Sequence, residues 1–383
     1  MNEVNMYLRR DLFPDIENTP RRVLMTADTL GGVWTYALEL ARTLCEQEVE
    51  IALATMGAPL SDTQWAEASR IANLGIFESS YKLEWMQDPW DDIKEAGEWL
   101  IELEQRLRPD VIHLNHFSHG SLPWNAPRVV VAHSCMLGWW EAVKGTPPPP
   151  EFERYRNAVR SGLQSAQMLV APTRAILRDL AKCYGPLPHM EVIPNGRELS
   201  FRHLPKEQFI FSSGRWWDAA KNINTITAAA PDVLWPICVA GETHDPDGKA
   251  LAFENVRPLG HLTPAQMAER FERAPIFCLP TRYEAFGMCA LEAALANCAL
   301  VLGDIPALRE TWRDTAVFVD PNDPGAFAAA LNRLIAEPEL RNDMADRAHN
   351  RALEFTTLRM ASSYLALYSE LMQPDRMELM PVG

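Results

Sequence analysis

"RRVLMTADTLGGVWTYALELARTLCEQEVEIALATMG", Arg21–Gly57, changes its hydrophobic period twice. Its opening, RRVLMTAD, is a short and nearly continuous apolar run, the pattern of a strand covered on both faces. After Gly31 and Gly32, the apolar residues of GGVWTYALELARTLCEQ recur at three- and four-residue intervals, as on one face of a helix. VEIALATMG then returns to the strand pattern. Strand, helix and strand in that order form a β-α-β unit, which requires a parallel sheet.

The same rhythm runs on. AGEWLIELEQRLRP reads as a helix, DVIHLNHF and RVVVAHS as strands, YRNAVRSGLQSAQ as a helix, and MLVAPT and MEVIPNG as short strands. The mixed polar stretch NGRELSFRHLPKE reads as a linker, after which the alternation restarts. QFIFSSG, WPICVAGE, PIFCLP, ALVLGD and AVFVD are strands separated by helical segments, one of them TPAQMAERFERA with Thr263 as its N-cap. The fold class expected is therefore α/β, two doubly wound parallel-sheet domains of Rossmann-like type, with a cleft between them. A chain of 383 residues suits two such domains. The expected boundaries are an extension over 1–20, a first domain over 21–197, a second over 198–355, and a C-terminal helix over 356–383 folding back toward the first.

A formal net charge of -15 argues against nucleic acid and anionic membrane surfaces as partners, because phosphate arrays demand clustered Lys and Arg. No apolar run approaches the roughly 20 residues that span a bilayer, so no transmembrane segment is expected and the cytoplasm is the simplest location. Seven cysteines without a C-x-x-C pair read as buried thiols, not as a disulfide framework or zinc site. His113, His116 and His119 are the one tempting metal cluster, but no carboxylate lies near them in sequence, and no metal is expected.

In open parallel sheets, ligands sit beyond the carboxyl ends of strands, so the residues just after each strand matter most. Gly31 and Gly32 fit either a tight turn or the close approach of a phosphate to a helix N-terminus. His133 ends a strand and reads equally as a site residue or a packed one. Trp139 and Trp140 follow it and suit stacking on a sugar or ordinary packing. Arg215 and Lys221 follow a strand in GRWWDAAKN, where a planar fork and a point charge suit a diphosphate unless they are plain surface charges. In YEAFGMCALE, Glu284 precedes a helix and Glu292 lies one turn inside it. Gly287 permits close approach, and the amides from Phe286 to Met288 face outward at the helix start. Two acceptor-only carboxylates at different depths suit two hydroxyl pairs, as on a hexose and a ribose.

These elements resemble the retaining glycosyltransferases of family four, which have a GT-B fold and include glycogen synthase and sucrose synthase. The resemblance is carried by GGVWTYALELA, VVVAHS, VAPT, VIPNGR, GRWWDAAKN, EAFGMCALE and GDIPALRE, in that order, from about Arg21 to Leu371. It implies that Arg215 and Lys221 bind the diphosphate of a nucleotide sugar, Glu284 the transferred sugar, and Glu292 the ribose. His133 would lie near the sugar 6-hydroxyl, with Phe286, Gly287 and Met288 lining the donor and Gly31 and Gly32 the phosphate and acceptor side. Arg215 and Lys221 stand one residue further apart than in the commonest members. Ala285 replaces a usual glycine, and Cys298 and Leu300 replace a usual Gly and Pro.

The function implied is metal-independent, retaining transfer of a hexosyl group from a nucleoside diphosphate sugar, uridine-linked by the family pattern, to an acceptor hydroxyl in carbohydrate biosynthesis. No cofactor is expected beyond that substrate. The acceptor partner is a sugar, a lipid-linked molecule or a small molecule, with Trp124, Trp139, Trp140 and the loop TPPPP as candidate walls. Two rivals stay open: a nucleotide-sugar epimerase, and a non-catalytic protein that binds a nucleotide sugar.

Overall fold

The computed structural model of the chain describes residues 19–187, 189–202, 204–244, 251 and 253–373. The extension expected over 1–20 lies outside them except for Thr19 and Pro20. Two compact units form. The first takes the chain up to Leu137, Pro148–Gly196 and the chain from Thr356 onward; the second takes Gly138–Pro147 and Arg197–Phe355.

The first unit is built on seven parallel strands: β1 (Arg22–Asp28), β2 (Glu50–Met56), β3 (Leu74–Glu78), β4 (Val111–Leu114), β5 (Arg128–Val131), β6 (Met168–Ala171) and β7 (Met190–Val192). They lie in the order β3-β2-β1-β4-β5-β6-β7. From Val23 to Asp28 every β1 residue is buried, which is why its sequence shows no alternation. The helix Gly32–Cys45 covers one face with Tyr36, Leu40 and Leu44, all at 1% exposure or less. Thr357–Leu371 packs into the same core through Tyr364, Leu365 and Tyr368. The helix Glu153–Ser165 crosses the turn Ser118–Ser121 so closely that a Cβ at Gly162 would lie 1.7 Å from the Phe117 carbonyl oxygen.

Six parallel strands make the second unit: β8 (Ile210–Ser213), β9 (Ile237–Ala240), β10 (Arg257–Gly260), β11 (Ile276–Leu279), β12 (Ala299–Gly303) and β13 (Val317–Val319), ordered β10-β9-β8-β11-β12-β13. Thr263 is the N-cap of Pro264–Arg273, as the sequence indicated, and with Gln266 it completes a capping box. The unusual Cys298 has a local use: its thiol donates to the Ala274 carbonyl at the end of that helix, 3.0 Å away. Lys206 donates to the same carbonyl and to that of Ala296. Thus one cation and one thiol satisfy the orphan carbonyls of two helix ends.

Both strand orders reverse once, between β1 and β4 in the first sheet and between β8 and β11 in the second. At such a reversal the loops leaving the two strands diverge and open a crevice beyond their carboxyl ends.

Candidate active site

The loops leaving β8 and β11 carry five of the residues singled out in the second unit: Arg215 and Lys221 on one, Glu284, Phe286 and Gly287 on the other. Lys221 Nζ donates to Glu284 Oε2 at 2.5 Å, and the two side chains are only 16% and 18% exposed. Burial works to lower the Lys221 pKa, yet the Glu284 carboxylate outweighs it and the net shift is upward. Burial likewise works to raise Glu284, but the Lys221 ammonium, with Arg215 behind it, brings it below its ordinary value. Both groups are therefore charged near neutrality. The loop around Lys221 is pinned by Asn222, whose amide donates to the carbonyls of Pro280 and Pro321 while its backbone holds φ 59°.

Gly287 has φ 87°, a left-handed conformation that favours glycine, and it starts the helix Met288–Leu295. Glu292 lies on that helix and pairs with Arg197, Nε to Oε1 at 3.1 Å. Arg197 was missed in the sequence, where it stood only as the residue after Asn-Gly. Its contact with Glu292 spans 95 positions, and nothing local signals it. The carboxylate thus has one oxygen engaged by a guanidinium, which fixes its orientation.

In the first unit, His133 lies two residues past β5. Its Nε2 donates to Asn115 Oδ1 at 2.7 Å, because the Asn115 amide nitrogen is committed to the Thr26 carbonyl. Burial, with His113 and His116 nearby, lowers the His133 pKa to about 3. The ring is neutral, with Nδ1 as its acceptor nitrogen. Tyr36 packs edge-on against it, centroids 4.5 Å apart.

A relay lies behind Tyr36. Tyr368 donates to His113 Nδ1 (2.6 Å), His113 Nε2 faces the Tyr36 hydroxyl (3.3 Å), and Tyr36 donates to Tyr364 (2.6 Å). The three histidines of HLNHFSHG thus have separate hydrogen-bond partners, His119 donating from Nε2 to the Ile93 carbonyl at 3.1 Å. Whereas the sequence showed no carboxylate near them, the fold brings two. Asp28 pairs with His116 Nε2, and Glu84 accepts the amides of Phe117 and Ser118. Burial works to lower His116, but Asp28 outweighs it and the pKa is raised. No group of three His, Cys, Asp or Glu side chains among the described residues could hold a metal ion.

Gly31 and Gly32 separate in their reasons. Gly31 needs its φ of 82°, whereas a Cβ on Gly32 would meet nothing within 4 Å. Packing therefore does not require glycine at 32. Gly32→Ala is expected to leave thermal stability unchanged or slightly higher, because Ala favours a helix, while lowering kcat/KM if a ligand approaches that amide. Equal activity of the two proteins would remove Gly32 from the site.

Comparison with known proteins follows this geometry. Residues 30–201 match the Glycosyltransferase Family 4 model, and residues 198–351 match that of Glycosyl transferases group 1. The two run consecutively, and the chain belongs to the glycosyltransferases they describe. A D-inositol 3-phosphate glycosyltransferase of Corynebacterium diphtheriae is 23% identical, with 90% of this chain and 91% of that protein aligned. Among solved structures, sucrose-phosphate synthase from Thermosynechococcus elongatus superposes with a TM-score of 0.75 at 17% identity, covering 92% of this chain and all of that one. An Anabaena protein crystallised with UDP and glucose gives 0.68 at 13%, over 90% and 98% of the two chains. Both show the fold, which is GT-B. No helix among the described residues is long and apolar enough to cross a membrane.

Proposed function

We propose that the protein is a retaining hexosyltransferase that takes its sugar from a uridine diphosphate donor and passes it to an acceptor hydroxyl without a metal ion. The observation that carries this reading is the placement of two cations and a carboxylate on the two loops at the reversal of the second sheet, with the Lys221–Glu284 pair joining them. Arg215 and Lys221 would bind the diphosphate and stabilise the charge that grows on it as the glycosidic bond breaks. The amides around Phe286, Gly287 and Met288 would add to that stabilisation. Glu284 would accept from hydroxyls of the transferred sugar, and Glu292, oriented by Arg197, from the ribose.

On the first unit, the neutral His133 ring has an acceptor nitrogen suited to a 6-hydroxyl. With the acceptor on the face the diphosphate leaves, a phosphate oxygen would take the acceptor proton, and the anomeric configuration would be kept. Uridine as the base draws support from the Anabaena protein, crystallised with UDP and glucose, and metal independence from the two cations.

The test is turnover of UDP-glucose with a panel of sugar, lipid-linked and small-molecule acceptors. UDP release is followed in EDTA and in Mg2+, and the product anomer is read by proton NMR. An α-linked product at equal rates in both buffers is expected. A β-linked product would contradict retention, dependence on Mg2+ would contradict metal independence, and interconversion of the sugar without acceptor would favour the epimerase.

A further inference from the structure

The segment Gly138–Pro147 lies between two stretches of the first unit in sequence, yet it folds as part of the second. It holds most of the helix Met136–Lys144. Two contacts fasten it, one on each loop of the candidate donor site. Trp139 Nε1 donates to Asp218 Oδ1 at 2.8 Å, and Asp218 lies between Arg215 and Lys221. Gly138 lies against Tyr283, the residue before Glu284; a Cβ there would be 3.2 Å from the tyrosine hydroxyl oxygen and 3.3–3.5 Å from the nearest ring carbons.

Asp218 explains why the first contact matters. Its Oδ1 also accepts the Ala220 amide at 2.9 Å, and its Oδ2 lies 3.8 Å from the Arg215 guanidinium. The Asp218 backbone carbonyl accepts the Lys221 amide at 2.9 Å. On its other side Arg215 lies over the Trp217 ring, 5.3 Å from the centroid, and Trp217 is tied by its indole N–H to Glu242. Two fixed N–H groups on one oxygen set the plane of the Asp218 carboxylate, which directs its second oxygen at Arg215. An arginine so held loses less freedom when an anion arrives than one waving in solvent.

We propose that Trp139 is a positioning residue for the donor diphosphate, acting through Asp218 on Arg215. The inference rests on the reading of Arg215 and Lys221 as the diphosphate-binding pair. It gives Trp139 a use other than stacking on a ligand, since the N–H edge of its indole is committed to the carboxylate. It also predicts that the effect is confined to the diphosphate, because neither Trp139 nor Asp218 touches Glu292.

Trp139→Phe keeps an aromatic ring, though a smaller one, and removes the N–H, and Asp218→Asn tests the link from residue 218 to Arg215 if the first variant folds poorly. Titrations with UDP and with uridine separate the two halves of the ligand. Expected for Trp139→Phe is a loss of UDP affinity of about three- to ten-fold, the range for one hydrogen bond, with uridine binding unchanged. In an Arg215→Ala background the same change should cost nothing further. Equal losses for UDP and uridine, unchanged UDP affinity, or a full additional loss in the Arg215→Ala background would overturn the proposal while leaving the donor site intact. Failure of the wild-type protein to bind UDP, ADP or GDP would overturn the donor-site reading and this inference with it.

Discussion

Lys221→Ala is expected to lower kcat at saturating donor by roughly 100-fold or more, the loss typical when one preorganised group facing developing charge is removed. The same change strips the counter-charge from Glu284, whose side chain is 18% exposed. Breaking a buried pair from one side costs on the order of 3–5 kcal/mol, because the survivor is left charged and poorly solvated. The wild-type pair has a defined pH window. Glu284 has a lowered pKa, so its contribution is present above the unfolded carboxyl value and lost as pH falls through the folded one. Lys221 has a raised pKa, so its contribution is present below the unfolded amine value and lost as pH rises through the folded one. Between those limits, roughly pH 4.3 to 10.4, the pair contributes fully. In Lys221→Ala, by contrast, stability should recover as pH falls and Glu284 takes up a proton. Chemical denaturation at pH 5 and 7 reads this sign. Glu284→Gln in the same background should remove the pH effect but not restore kcat. Full turnover by Lys221→Ala would end the leaving-group role.

Acid should destabilise the first unit well before its carboxylates are protonated. His113, His119 and His133 are each lowered to about 3, in every case chiefly by burial. Above the unfolded value near 6.5 neither state binds these protons and the groups contribute nothing to pH dependence. Below it the unfolded chain takes them up and the folded chain does not, so stability falls with pH down to about 3. His113 and His119 alone, at 0% and 2% exposure, should lower stability by about 4 kcal/mol at pH 5, a large part of the total for an ordinary domain. His116 has the opposite sign: its raised pKa gives stability that is complete below 6.5 and lost as pH rises above it. Urea unfolding followed by tyrosine and tryptophan fluorescence at pH 7, 6 and 5 measures the slope. A steep fall is expected, shallower in His113→Gln; a flat profile would mean that these rings take up protons while folded.

Most strands of the two sheets, the loops that carry Arg215, Lys221 and Glu284, and the helix that carries Glu292 were legible because each signal is local. The edge strands β3 and β10, only partly buried and without an apolar run, were not read. An apolar run marks the strand, and the residues after it mark the crevice. Conversely, the helices Asp62–Ala68, Met136–Lys144 and Pro306–Trp312 gave no distinct signal: at seven to nine residues each they are too short for a helical period to show. What stayed hidden depends on contacts across long stretches of chain. Asp28 reaches His116 over 88 positions, Arg197 reaches Glu292 over 95, and Tyr36 reaches Tyr364 over 328. The two tryptophans were noticed as aromatic surface, but only the fold reveals that Trp139 spends its N–H on Asp218. One departure from the family pattern likewise gained its reason only in the fold, where Cys298 serves as a donor to a helix end.

The most direct measurement is calorimetric titration with UDP, ADP and GDP in EDTA, on the wild-type protein beside Lys221→Ala and Glu292→Ala. Saturable binding of UDP, weakened by both substitutions, is the expected result, since one acts at the diphosphate and the other at the ribose. Absence of binding by all three nucleotides, or binding that neither substitution alters, would contradict a donor site built from the loops after β8 and β11.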